Sequence, residues 1–116
     1  MKHLFLFWII AILLSCNSST ETTPTSDVTT KGETLFTINC SNCHKPDEDF
    51  VGPALKGAAS RWENKALLYE FVKNPTAVIQ KDAYAAGLQQ KYSSTMTSFP
   101  DLNKDEIDAI LAYCNQ

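Results

Sequence analysis

The chain has 116 residues, 44% of them hydrophobic and 20% charged, with a formal net charge of −3. That length suggests a single folding unit. The nine basic against eleven acidic side chains of residues 31–116 exclude a nucleic-acid-binding surface, which needs a clear basic excess, and give no single-signed field to steer a partner.

The hydrophobic residues are unevenly spread. Lys2 and His3 lead into an unbroken apolar run from Leu4 to Leu14, followed by Ser15 and Cys16. A short basic start, an apolar stretch and a small residue describe a secretory signal. The run falls short of the about 20 residues that a membrane-crossing helix needs. Leu13-Leu14-Ser15-Cys16 resembles the lipobox of bacterial lipoproteins. The resemblance implies cleavage before Cys16 and acylation of that residue. Each buried CH₂ of an acyl chain contributes about 0.8 kcal/mol, so several chains make a lasting anchor. Residues 17–30 hold nine Ser or Thr and one Pro. Such a segment buries too little apolar surface to offset its ordering entropy, and as a coil it would reach roughly 20 Å. The expected organisation is a signal at 1–15, a lipidated cysteine and disordered linker at 16–30, and a folded domain at 31–116. The expected location is the periplasmic face of a bacterial membrane.

From Lys31 onward the apolar spacing is helical and no segment alternates as a strand would. Leu35, Phe36 and Ile38 suggest a short helix leading into Cys40–His44. Ser60-Arg61-Trp62-Glu63 has the form of a capping box. After it, Leu67/Phe71 and Leu68/Val72 repeat at i, i+4. Asn74-Pro75 should end that helix, because a residue before proline is pushed out of the α region. Tyr84, Leu88 and Lys91 or Tyr92 mark a weaker helix containing Gly87. The last helix has the clearest signature: Asn103 caps it, Glu106 returns the bond, and Leu102 pairs with Ile107 as a staple. Ile107, Ile110, Leu111 and Cys114 then share one face. The expectation is an all-α domain of four to five short helices. About 86 residues so arranged make a thin core, which calls for something large and apolar at its centre.

The chemistry is concentrated in Cys40-Ser41-Asn42-Cys43-His44, the C-x-x-C-H pattern of covalent haem c attachment. Two cysteines three residues apart reach the two vinyl groups of one porphyrin, and the next histidine projects under the ring to ligate iron. Three other readings use the same residues. A thiol-redox pair would follow a strand in a βαβ context, which the sequence lacks. A structural zinc site needs four ligands. A Cys40–Cys43 disulfide leaves His44 unused. For the second axial position, removal of residues 1–15 leaves one histidine, His44, and one methionine, Met96. Met96 lies in the polar segment 92–100, away from any apolar helical stripe. Met/His ligation raises the reduction potential and suits electron transfer. The metal ligands expected are therefore His44 and Met96. Cys114, on the apolar face of the last helix, reads as a small buried hydrophobe.

With these residues in place, the chain resembles the class I (mitochondrial-type) cytochrome c family over residues 31–116. Gly32 and Phe36 fall where that family's first helix meets its last, opposite Ile110 and Tyr113. Val51-Gly52-Pro53-Ala54-Leu55 is similar to the family's G-P-x-L turn. The resemblance implies that the Pro53 carbonyl accepts the proximal histidine's N–H. It also implies that Arg61 lies near a haem propionate, a role Trp62 would share unless it serves in packing. Thr97 stands where such chains usually carry proline after the methionine. The fold implied is that of cytochrome c, wrapped around one covalent haem c. The function implied is one-electron transfer between redox proteins, a reductase or dehydrogenase and an oxidase, without substrate turnover. The alternative is a haem enzyme or sensor in which peroxide or a diatomic gas displaces Met96.

Overall fold

The computed structural model describes residues 24–116; the expected signal segment and Cys16 lie outside them. Five α-helices and one 3₁₀ turn follow in order: α1 (Pro24–Asn39), the turn (Ala58–Arg61), α2 (Lys65–Lys73), α3 (Pro75–Ile79), α4 (Ala83–Tyr92) and α5 (Lys104–Cys114). Among the described residues there is no strand, and no helix is long and apolar enough to cross a membrane. The all-α expectation holds.

The frame of the domain is the contact between α1 and α5. α5 starts as the sequence predicts. The Asn103 side chain accepts from the Glu106 backbone N–H, and the Glu106 carboxylate accepts from the Asn103 N–H. Asp105 and Glu106 face the positive end of the helix dipole. One face of α5 then buries Ile107, Ile110, Leu111 and Cys114. On α1, Gly32 permits the close approach. A Cβ there would lie 2.6 Å from the Ala109 carbonyl carbon and 3.1 Å from Tyr113 Cβ. One turn further, the Phe36 and Tyr113 rings meet at 5.4 Å between centroids. The end of α5 is pinned to the 3₁₀ turn, where the Gly57 N–H donates to Asn115 Oδ1 at 2.7 Å. Gly57 has a φ of 69°, in the left-handed region that glycine adopts without a steric cost.

Three boundaries differ from the sequence reading. First, α1 begins at Pro24, so residues 24–30, expected within the disordered linker, are helical. The threonines that weaken a helix on paper bond back along it, Thr30 Oγ1 to the Ser26 carbonyl and Thr34 Oγ1 to the Thr30 carbonyl. Second, Ser60 and Glu63 form no capping box. Ser60 Oγ donates to the Gly57 carbonyl, and α2 is capped by Asn64, whose side chain accepts from the Ala66 N–H at 2.8 Å. Third, Pro75 ends α2 as expected and also opens α3, with Asn74 serving as the cap of both ends.

The α1–α5 crossing yields a paired expectation. Gly32→Ala forces a methyl group into backbone of α5 that cannot move aside, and should lower stability by about 1–3 kcal/mol. Gly87→Ala meets nothing within 4 Å and should raise it by about 0.5–1 kcal/mol through helix propensity. Denaturant titration of the two variants checks both signs.

Candidate functional site

The Cys40–His44 segment is a turn wound onto the end of α1. The Cys40 and Ser41 N–H groups both donate to the Phe36 carbonyl, at 2.8 and 3.0 Å. The Cys43 and His44 N–H groups both donate to the Cys40 carbonyl, at 3.0 and 2.8 Å. This winding places Cys40 in the core, Cys43 at the surface and His44 half-buried between them. All three line one cavity.

The following loop folds back under the histidine. The Gly52 N–H donates to the Cys43 carbonyl at 2.8 Å, and the Leu55 N–H to the Lys45 carbonyl at 3.0 Å. Pro53 thereby meets the imidazole, with His44 Nδ1 2.8 Å from the Pro53 carbonyl oxygen. A carbonyl only accepts, so Nδ1 carries the proton and donates it. In the neutral ring Nε2 is then the free acceptor and the available metal ligand. Gly52 is required by this arrangement, because a Cβ there would sit 2.5 Å from His44 Cε1 and 3.0 Å from Nδ1. The sequence reading placed Gly52 in the turn without seeing that its missing side chain makes room for the ring.

The cavity is open to solvent and holds about 230 Å³. Its walls are mainly apolar and include Leu68, Phe71, Ile79 and Leu88. Trp62 is buried in the wall, with its ring 5.1 Å from Phe71 and edge-on to Tyr84 at 5.0 Å. Arg61 also lines the cavity; its Nη1 donates to the Lys56 carbonyl at 2.8 Å and its Nη2 to the Ala54 carbonyl.

Met96 reaches the same cavity from the segment between α4 and α5. That segment has no helix of its own and is held by hydrogen bonds on both sides of the methionine. Gln89 Nε2 donates to Thr95 Oγ1 at 2.7 Å. Beyond Met96, the Phe99 N–H donates to the Val72 carbonyl at 2.9 Å, and Ser98 Oγ donates to the Lys73 carbonyl. Where such chains usually carry proline at position 97, the segment here is tethered to α2 and α4.

Cys40 does not have the electrostatics of a redox-active thiol. Burial, with Cys43 adding to it, pushes the Cys40 thiol up to about 11, whereas catalytic cysteines are depressed toward neutrality. Cys114 is pushed up to about 12, first by burial and then by Cys40 and Asp47. It is 1% exposed and behaves as the small hydrophobe expected from its place on α5. Among the described residues no three His, Cys, Asp or Glu side chains converge as a metal-binding group. The zinc reading therefore lacks ligands there.

The family model for cytochrome c matches residues 29–116. The chain belongs to the cytochrome c family. Among solved structures, a cytochrome c from Rhodothermus marinus is 32% identical, with a TM-score of 0.64 over 77% of this chain and 75% of its own. An engineered form of that Rhodothermus marinus cytochrome c, bound to a carbene intermediate, matches at the same identity over the same shares of the two chains, with a TM-score of 0.60. A comparison with curated proteins finds no match. The chain is thus a class I, monohaem cytochrome c, with one covalent haem c. The cavity fits that group: two thiols, one imidazole whose Nδ1 is turned to Pro53 and one thioether open onto a single, mainly apolar space.

Replacing Gly52 probes the ring's seat. Gly52→Ala should displace the imidazole from Pro53 and cost about 1–3 kcal/mol by overpacking. In the NMR spectrum of the reduced protein, the exchange-protected Nδ1 proton of His44 should be lost.

Proposed function

We propose that this cytochrome c is a one-electron carrier whose haem is held by thioethers to Cys40 and Cys43, with His44 Nε2 and the Met96 sulfur as axial ligands. The observation that carries the reading is the His44 Nδ1–Pro53 hydrogen bond, which commits Nε2 to a cavity that Met96 also lines. The bound haem supplies an iron that gains and loses a single electron. The residues of the chain do the rest. Pro53 holds the proton on Nδ1 and keeps the ring basic. The Met96 thioether favours the ferrous form and raises the potential. The apolar walls exclude water, which keeps the charge change from being relaxed by solvent. Arg61 has N–H donors beyond the two its backbone contacts use, and with the Trp62 indole it is assigned to the haem propionates.

The site has two axial ligands, and among the described residues its lining holds no second histidine and no carboxylate. It therefore serves electron exchange with protein partners, a reductase or dehydrogenase upstream and an oxidase downstream, and no substrate turnover. The apolar run at 4–14 and the lipobox-like Leu13–Cys16 support export and acylation of Cys16. The acyl chains on Cys16 then tether the domain to the periplasmic face of a bacterial membrane.

Carbon monoxide binding separates a carrier from a gas- or peroxide-handling haem protein. The reduced protein should leave carbon monoxide unbound because Met96 fills the sixth position, and Met96→Ala should bind it. Ready binding by the unaltered protein would overturn the carrier reading. Thiol titration checks the attachment. In the haem-loaded Cys16→Ser chain, Ellman's reagent should find no thiol in the native protein and only Cys114 after denaturation. Reactivity of Cys40 and Cys43 there would contradict the thioethers.

A further inference from the structure

His44 and Met96 are carried by different parts of the chain. His44 is seated on the loop of residues 45–55, and Met96 follows α4, whose helical contacts are mainly with α3. One side chain joins the two parts. Asp49 Oδ1 accepts from the Ala54 N–H at 3.0 Å, next to the Pro53 that holds the histidine. Asp49 Oδ2 accepts from the Tyr92 hydroxyl at 2.6 Å and from Lys91 Nζ at 3.0 Å. Lys91 and Tyr92 are the last two residues of α4, and the Lys91 ammonium also lies 4.8 Å from the centre of the Tyr92 ring. Immediately beyond, Ser93 turns the chain with a φ of 50° into the segment that presents Met96. A single carboxylate therefore spans from the residue after Pro53 to the fourth residue before Met96.

We propose that Asp49 is a positioning residue: its carboxylate clasps the loop under His44 to the end of α4, and so sets how readily Met96 yields its place to an outside ligand. This rests on the His44/Met96 reading given above. Three donors converge on the one carboxylate, which makes the contact a network rather than an isolated surface pair. The Tyr92 hydroxyl, followed by the Ala54 N–H and Lys91, holds the Asp49 carboxyl well below the usual carboxylate range, consistent with bonds made to the ionised form. Release of the clasp frees the α4 end and leaves the Met96 segment with its tethers to α2 and Gln89 alone. An outside ligand binds only when Met96 is away, so its apparent affinity reports the population of that open state.

The test is a titration of the oxidised, haem-loaded protein with imidazole, followed by loss of the far-red sulfur-to-iron absorption band. Asp49→Ala should raise imidazole affinity about fivefold, the upper end of what an exposed charged contact contributes. Tyr92→Phe should move it the same way, and Asp49→Asn, which keeps an acceptor, by less. The Asp49→Ala/Tyr92→Phe double variant should fall short of the sum of the single effects, because the two residues act through one contact. Glu70→Gln, which removes an ion pair to Lys81 elsewhere on the surface, should leave the affinity unchanged. Unchanged imidazole affinity in Asp49→Ala and Tyr92→Phe overturns the clasp, even if their melting temperatures fall. Absence of the far-red band in the unaltered oxidised protein overturns the Met96 assignment instead, and the two failures are thereby distinct.

Discussion

One hydrogen bond, from the His44 Nδ1 proton to the Pro53 carbonyl, organises the chemistry of this cytochrome c. It turns Nδ1 of the ring toward the loop and, in the neutral imidazole, leaves Nε2 as the acceptor. Much of the local structure exists to allow it. The turn after α1 brings His44 under Cys40, the Gly52 amide ties the loop back to Cys43, and the missing Gly52 side chain lets the imidazole lie flat against backbone. A methyl group at that glycine is enough to move the ring.

The scaffold under this bond is slight. Short helices surround an open apolar cavity, and Val78 and Cys114 are the largest side chains that are fully enclosed. Rigidity is concentrated where α1 crosses α5, through the backbone contact at Gly32 and the Phe36–Tyr113 pair. α1 runs directly into the Cys40–His44 turn, so the crossing that holds the domain together also fixes the proximal side of the site. The distal side is built differently. Met96 sits on a segment without secondary structure, positioned by single hydrogen bonds, one accepted from Gln89 and two donated to the Val72 and Lys73 carbonyls. Such a segment yields more easily than a helix.

What could be read from the chain beforehand was local or carried by spacing. C-x-x-C-H announced the attachment turn, Asn103 and Glu106 announced the start of α5, and Gly32 with Phe36 announced the crossing, because each depends on neighbours a few residues away or on a pattern shared by a family. The capping box expected at Ser60–Glu63 failed because Ser60 turns its hydroxyl to Gly57, while Asn64 offers a cap one residue before α2. α3 was missed because a proline that ends one helix is equally suited to open the next. The helical start of α1 ran against composition, since Thr30 and Thr34 satisfy their hydroxyls within the helix. The Asp49 contacts with Lys91 and Tyr92 bridge more than forty residues, and no periodicity encodes them. The Met96 tethers were hidden for the same reason, although Thr97 in place of proline signalled that another means of holding the segment was needed.

The central claim, an electron carrier with His44 and Met96 on one iron, is tested most directly by a potentiometric titration followed by absorbance in the unaltered protein and in Met96→Ala. The account predicts a single one-electron transition in the unaltered protein and a clear fall in potential when the thioether is removed. A potential that stays the same in Met96→Ala would contradict it, because the sulfur would then have no place on the iron.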